Sequence, residues 1–214
     1  MKQIDRTPSH AGTAPRIATA VILLTFFASA AAHAQDRMSF APESTVLIDG
    51  TSNQSDWTVT ADSLYGWVEM AATDGGLPEI SGVEVHVVSS EIVSNKSPIM
   101  DRLMYRTLKT GEFTEIVFAL TGADVMPVDG ADADTFAVAA TGSLSIAGVT
   151  HPIEMTVGGE RVGGSGYRFT GSYGLKMTDY GMRPPTALFG ALHTGDPVVV
   201  RFDLHVRNGA TGTE

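Results

Sequence analysis

Thr141–Val157, TGSLSIAGVTHPIEMTV, is the stretch whose reading decides the fold. Leu144 and Ile146 alternate with Ser143 and Ser145 on a first arm. Ile153, Met155 and Val157 alternate with Glu154 and Thr156 on a second. A period of two sends one set to an apolar face and the other to water, so both arms read as half-buried strands. Ala147–Thr150 reverses the chain, and Gly148 adopts a positive φ at little cost. Pro152 stands where the second arm begins, a place a strand tolerates. This is a hairpin with one wet face and one apolar face.

The same alternation extends in both directions. Upstream, Thr135–Ile146 carries Phe136, Val138 and Ala140 in phase with Leu144, and Thr114–Thr121 carries Ile116, Phe118 and Leu120. Gly82–Ser89, Ser63–Met70, Trp57–Thr60 and Val46–Gly50 read as earlier strands, after a lead-in Gln35–Thr45. Downstream, Tyr167, Phe169, Tyr173, Leu175 and Met177 share one parity, and Val198, Val200, Phe202, Leu204 and Val206 another strand. Thr51–Ser55, Thr73–Pro78, Asp124–Asp134, Gly158–Gly166, Thr178–Gly181 and Met182–Thr194 read as turns and links. The tail 208–214 is small and polar and is expected to be disordered.

One segment breaks the pattern. Met100, Leu103, Met104 and Leu108 recur at helical spacing, with Asp101, Arg102, Arg106 and Lys109 elsewhere on the wheel. Ser97 suits the N-cap, Pro98 the first turn, and Gly111 a stop after Lys109. Eight or nine sequential strands around one short amphipathic helix predict an all-β antiparallel fold. A sheet that long tends to close or fold over, because closure removes exposed edges.

Residues 1–34 read as a signal peptide rather than as part of that fold. Lys2, Arg6 and Arg16 precede the uncharged run Ile17–Ala32, and Ala32-His33-Ala34 matches a small-x-small cleavage pattern. The core of the run is shorter than the roughly 20 residues a span needs, so no stable membrane insertion is expected. Export to the periplasm follows, with 35–207 as one domain. The chain has no cysteine, so export brings no disulfide framework. Fourteen Lys and Arg stand against 24 Asp and Glu, giving a net charge of −10, and loss of residues 1–34 makes the mature chain more acidic. That balance, without a basic patch, argues against nucleic acid and against an anionic membrane surface as partners.

Motifs for catalysis are missing. There is no Gly-x-Ser-x-Gly elbow, phosphate loop or metalloprotease helix. Asp101 with Glu115, or Asp179 with Asp203, are the carboxylate pairs to consider, but nothing in the sequence joins them. His86 and His205 fall on polar strand faces, His151 and His193 in turns, without metal-ligand spacing, so no metal is expected. Asp129, Asp132 and Asp134 lack the pattern of a calcium loop and read as solvated charge. No cofactor is implied.

Several stretches together resemble the YceI-like family, exported barrels similar to lipocalins. They are Leu47–Trp57 (LIDGTSNQSDW), Met100–Leu103, Glu115–Phe118, Gly142–Ile153 (GSLSIAGVTHPI), Thr178–Gly181 and Val199–Leu204. The resemblance implies an eight-stranded lipocalin-like barrel with an elongated apolar pocket. It implies a non-enzymatic binder of a long-chain amphiphilic lipid: a polyisoprenoid, a quinone-like molecule or a fatty-acid-like chain. Within that fold, strand parity and the apolar helix face select the expected lining. It comprises Met100, Leu103, Met104, Leu108, Ile116, Phe118, Leu120, Phe136, Val138, Leu144, Met155, Phe169, Leu175, Met177 and Phe202. Tyr65, Tyr105, Tyr173 and Tyr180 are the hydroxyls to consider for a head group. The rival readings are a filled core serving as a structural or interaction module, and an enzyme acting on lipid in the pocket. The helix reads equally as a lid or as a plug. The oligomeric state stays open, a homodimer included.

Overall fold

The computed structural model describes residues 36–208, apart from 62, 72, 74, 75, 95–97, 165 and the side chain of 188. The expected signal peptide, the N-cap Ser97 and residues 209–214 of the expected tail lie outside the described residues. In chain order the strands are β1 (Asp36–Phe40), β2 (Thr45–Ser52), β3 (Trp57–Ala61), β4 (Leu64–Ala71), β5 (Glu79–Val88), β6 (Ile92–Val93), β7 (Glu115–Pro127), β8 (Thr135–Ile146), β9 (Val149–Val162), β10 (Gly166–Lys176), β11 (Thr186–Ala187) and β12 (Leu192–Asn208). The helix α1 (Pro98–Leu108) lies between β6 and β7.

Each strand pairs antiparallel with its neighbours, and the ladder closes on itself. The ring runs β1-β4-β5-β7-β8-β9-β10-β12 and returns to β1, where Met38 meets Asn208 and Phe40 meets Val206. β2, β3 and β6 prolong the staves begun by β1, β4 and β5, since β12 pairs with β2 and β2 with β3. The result is a closed eight-stranded antiparallel barrel in which successive staves are neighbours. Closure leaves no free edge along the ring. The Ala147-Gly148 reversal takes φ 48 and 84, so both central residues are left-handed, as the tight hairpin turn requires.

The two ends differ. One gathers the turns after β4, β7 and β9 together with residues 36 and 208, and it is packed solid. There Phe136, 2% exposed, sits edge-on to Tyr167 and Phe169 at centroid distances of 6.3 and 6.1 Å. Met38, Met70 and Val206 complete this closed end. The other end carries α1, the turn between β2 and β3, the β8–β9 turn and the segment from Met177 to Leu192. We call it the mouth.

Several boundaries depart from the sequence reading: the link 182–194 holds β11 and the start of β12 as a small hairpin, and four others differ for a local reason. Residues 36–40 are not a lead-in: Met38 and Phe40 face inward as β1, a run too short to show its alternation before Pro42. β7 runs on through Asp124 to Pro127, with Ala123 and Val125 packed on the core and Asp124 outward, so the acidic loop is only 128–134. β9 runs through Gly158 and Gly159 to Val162 because the Phe136 ring lies across Gly159 and fills the space of its missing side chain. After α1 the left-handed residue is Lys109 (φ 53), not Gly111, and the Lys109 carbonyl accepts from the Phe113 amide at 2.9 Å. Phe136→Ala should cost about 3–5 kcal/mol in chemical denaturation, because the closed end cannot collapse around the lost ring. A loss below about 1 kcal/mol would show that this end is loosely packed.

Candidate ligand-binding site

A cavity of about 270 Å³ runs down the barrel from the mouth. That is roughly twenty times the space a single water needs, so the interior is hollow and not a filled core. Inward positions of the staves build its wall: Val46 and Ile48, Val83 and Val85, Ile116, Phe118 and Leu120, Val138 and Leu144, Met155, Phe169 and Leu175, Val200 and Phe202. Met177 lines it just after β10, and Met100, Leu103, Met104 and Leu108 cover it from α1. Of the expected lining, Phe136 alone stands elsewhere, in the solid closed end. Its parity is inward, but it lies one pair beyond the floor formed by Val138 and Phe169.

Glycines keep the barrel hollow. A Cβ on Gly142 would come within 2.5 Å of the Phe118 ring, and one on Gly171 would overlap the ring of Phe202. Each phenylalanine therefore lies flat across a glycine of the next strand, where Phe202 is the direct pair of Gly171. Trp57 lies in the same way against Gly50, and its indole N–H donates to the Thr51 carbonyl at 3.0 Å. Rings held against the wall leave the axis clear. With ordinary side chains at 142 and 171, the same rings would project inward and fill it.

Apart from the Trp57 indole N–H, already given to the Thr51 carbonyl, side-chain polarity in the described lining is confined to hydroxyls. Ser94, Thr107, Tyr173 and Thr194 line the cavity, and among the described residues no carboxylate, histidine, lysine or arginine does. Ser94, Thr107 and Thr194 all belong to the mouth. Among the four tyrosines considered for a head group, Tyr173 alone lies on the lining. Tyr180 is buried beneath the mouth and its phenol is pushed up to about 12, by burial first and then by Tyr173 and Asp179. The helix has no fully buried residue, but Met104 and Leu108 pack against the core, so it roofs the cavity with its apolar face. Asp101 ties its first turn by accepting from the Ser94 amide at 2.8 Å, and the buried Ser89 donates to the Phe113 carbonyl at 2.8 Å.

Known proteins place this architecture. The sequence profile described as YceI-like domain matches residues 32–206. The chain belongs to the YceI-like family. Solved structures agree in fold. A polyisoprenoid binding domain from Saccharophagus degradans superposes with a TM-score of 0.63 at 15% identity, over 82% of this chain and 99% of that one. BcnA of Burkholderia cenocepacia gives 0.55 at 15%, over 76% and 95%. A mutant YceI protein of Campylobacter jejuni gives 0.53 at 13%, over 70% and 83%. No curated protein matches the chain.

On the outer wall of this YceI-like barrel, sequence reasoning missed a cluster. His86 of β5 contacts Glu84 through Nε2 at 2.6 Å and Glu115 of β7 through Nδ1 at 3.0 Å. Tyr65 of β4 stacks on the imidazole at 4.7 Å, and its hydroxyl donates to Glu115. Strand register brings the residues together, since Tyr65 pairs with His86 and His86 with Val117. Glu115 is thus engaged by Tyr65 and His86 while Asp101 accepts from the Ser94 amide, and Asp203 binds Arg168 at 2.6 Å. Glu115, Asp101 and Asp203 each have another partner, in line with a sequence that joins neither pair.

Burial disfavours charge on His86, but its hydrogen bonds to Glu84 and Glu115 outweigh that and hold its pKa above the ordinary value. Tyr65, then His86, holds Glu115 below the usual carboxylate range. A raised histidine pKa contributes stability that is complete below the unfolded pKa and lost as pH rises through the folded one. Glu115 contributes above its unfolded pKa and loses this as pH falls through the folded one. The cluster should therefore stabilise most in mildly acidic solution. Melting temperature should decline as pH rises past neutrality, and Glu115→Gln should flatten that slope; an unchanged slope would contradict the assignment. Gly171→Ala tests the lumen. The protein should fold with a small loss of stability while displaced Phe202 shrinks the cavity, seen in a crystal structure as a ring turned toward the axis. A ring left in place would contradict the wall-seat account.

Proposed function

We propose that this protein is an exported, non-enzymatic carrier that holds the hydrocarbon tail of one long amphiphilic lipid in the barrel and its head group at the mouth. The observation that carries this is the lining: a hollow apolar lumen with hydroxyls and no charge among the described residues. Each buried methylene contributes about 0.8 kcal/mol, so ten would supply about 8 kcal/mol, near micromolar affinity before ordering costs. The phenylalanine and methionine wall suits a flexible chain, because thioethers adapt to irregular apolar partners.

The polyisoprenoid binding assigned to the Saccharophagus degradans domain supports an isoprenoid tail. The hydroxyls of Tyr173 and Thr194, with that of Thr107 as an acceptor because it already donates to the Leu103 carbonyl, suit an uncharged head that exchanges hydrogen bonds, such as an alcohol or a quinone. A phosphate or carboxylate would find no cation in the described lining to offset its desolvation. That lining also offers no acid or base that titrates near neutrality, which supports binding rather than turnover. The basic, apolar, small-residue pattern of residues 1–34 supports export to the periplasm and a mature chain beginning at Gln35.

A chain-length series tests the reading. Isoprenoid alcohols of increasing length should displace a fluorescent alkyl probe with affinity that climbs by up to about fourfold per buried methylene and then levels off once the lumen is full. Ala140→Leu, midway along the wall, should bring the plateau to shorter chains. Affinity independent of length, or no displacement at any length, would contradict a tail-binding lumen.

A further inference from the structure

We propose that the mouth end docks on a zwitterionic phospholipid bilayer, with Phe189 as its inserted anchor. β11 and the start of β12 form a small hairpin beyond the barrel, in which Thr186 pairs with His193 and Ala187 with Leu192. Its tip, Ala187-Leu188-Phe189-Gly190-Ala191-Leu192, carries no charge and no hydrogen-bonding side chain. Phe189 is more exposed than in an extended reference peptide, at 113%, and its φ of 56 lies where bulky side chains are rare. A purely solvated turn would be served better by glycine or asparagine there.

The tip is held outward rather than folded over the lumen. Asn53 clamps its base: its amide donates to the His193 carbonyl at 3.1 Å, its Nδ2 to the Ala191 carbonyl at 2.9 Å, and its Oδ1 accepts from the His193 amide at 3.1 Å. The root residues Pro185 and Thr194 line the cavity mouth, so the projecting phenylalanine stands beside the route into the lumen. Ile99 at the start of α1 (58% exposed) and Val93 of β6 (41%) are exposed at the same end.

Charge distribution favours this end. Among the described residues of the mouth, Arg102, Arg106, Lys109, Lys176 and Arg183 stand against Asp56, Glu91, Asp101, Glu112, Asp179 and Asp196. The mouth is nearly balanced, although the whole chain carries −10. The opposite end also exposes apolar side chains, Met126 and Val128, but these sit beside Asp124, Asp129, Asp132 and Asp134. The net acidity that argues against an anionic surface is thus directed away from the face that would touch lipid. A protruding tip needs a partner that yields around it, which a bilayer does; a rigid protein would need a matching pocket.

Docking goes beyond tail binding and is measured separately from it. The mature protein would be floated with vesicles of phosphatidylcholine and phosphatidylethanolamine, and Phe189→Trp placed on vesicles containing brominated phosphatidylcholine. We expect flotation with little salt dependence, and about tenfold weaker flotation for Phe189→Ser. The indole introduced by Phe189→Trp should be quenched by bromine, beyond any quenching of the two native tryptophans in the unsubstituted protein. Binding of an isoprenoid alcohol by Phe189→Ser should be unchanged. Wild-type protein that binds the alcohol but stays off the vesicles would overturn the proposal, as would equal flotation of Phe189→Ser or flotation only with anionic lipid. A solution dimer abolished by Phe189→Ser, with no vesicle binding, would assign the tip to a second copy instead and equally overturn it.

Discussion

Closure between the two ends of the chain is the constraint on which everything else rests. β12 spans seventeen residues, Leu192–Asn208, and pairs along one side with β10 and along the other with β2 and then β1. Without that seam the sheet would present two long open edges. With it, every inward side chain faces the others across a lumen whose width is set by eight staves. The alternation of each strand then acquires one meaning: inward is lumen or plug, outward is water.

Whether such a lumen is filled depends on small residues rather than large ones. Phe118 and Phe202 would occupy the axis were Gly142 and Gly171 not there to receive them. At the closed end the opposite choice is made: Phe136 meets the stacked rings of Tyr167 and Phe169 edge to face, and the three seal the floor. The hollow therefore has a bottom, an apolar wall and a hydroxyl-bearing mouth roofed by the apolar face of a helix. A tail-first amphiphile matches that order of polarity, and the Asn53-clamped hairpin sets an apolar tip beside its entrance.

Much of this was legible from period-two alternation. The Thr141–Val157 hairpin, the inward parity of β7, β8, β10 and β12, and the amphipathic face of α1 are all where the sequence puts them, because burial of one face leaves a strong periodic trace. Short or glycine-bearing pieces leave none. β1 shows only Met38 and Phe40, and the Gly158–Val162 stretch of β9 reads as loop until Phe136 is seen lying over Gly159. The inward-phase glycines at 142 and 171 were the available sign of a hollow barrel. They interrupt otherwise apolar series, and a filled core would have had little reason to place them there. Phe136 could not be separated from its lumen-lining neighbours by parity alone, since depth along the axis leaves no periodic signature. The Tyr65, His86 and Glu115 cluster lay beyond reach for another reason: it is assembled by register between β4, β5 and β7, and register is a tertiary property.

The account stands or falls on occupancy of the lumen. Native mass spectrometry of the protein purified from its own host, followed by organic extraction, tests this most directly. The predicted result is a bound mass near that of one lipid, extracted as a single uncharged prenyl or acyl amphiphile. A bare protein that also refuses added long-chain isoprenoid alcohols would contradict the account and leave the cavity without a ligand.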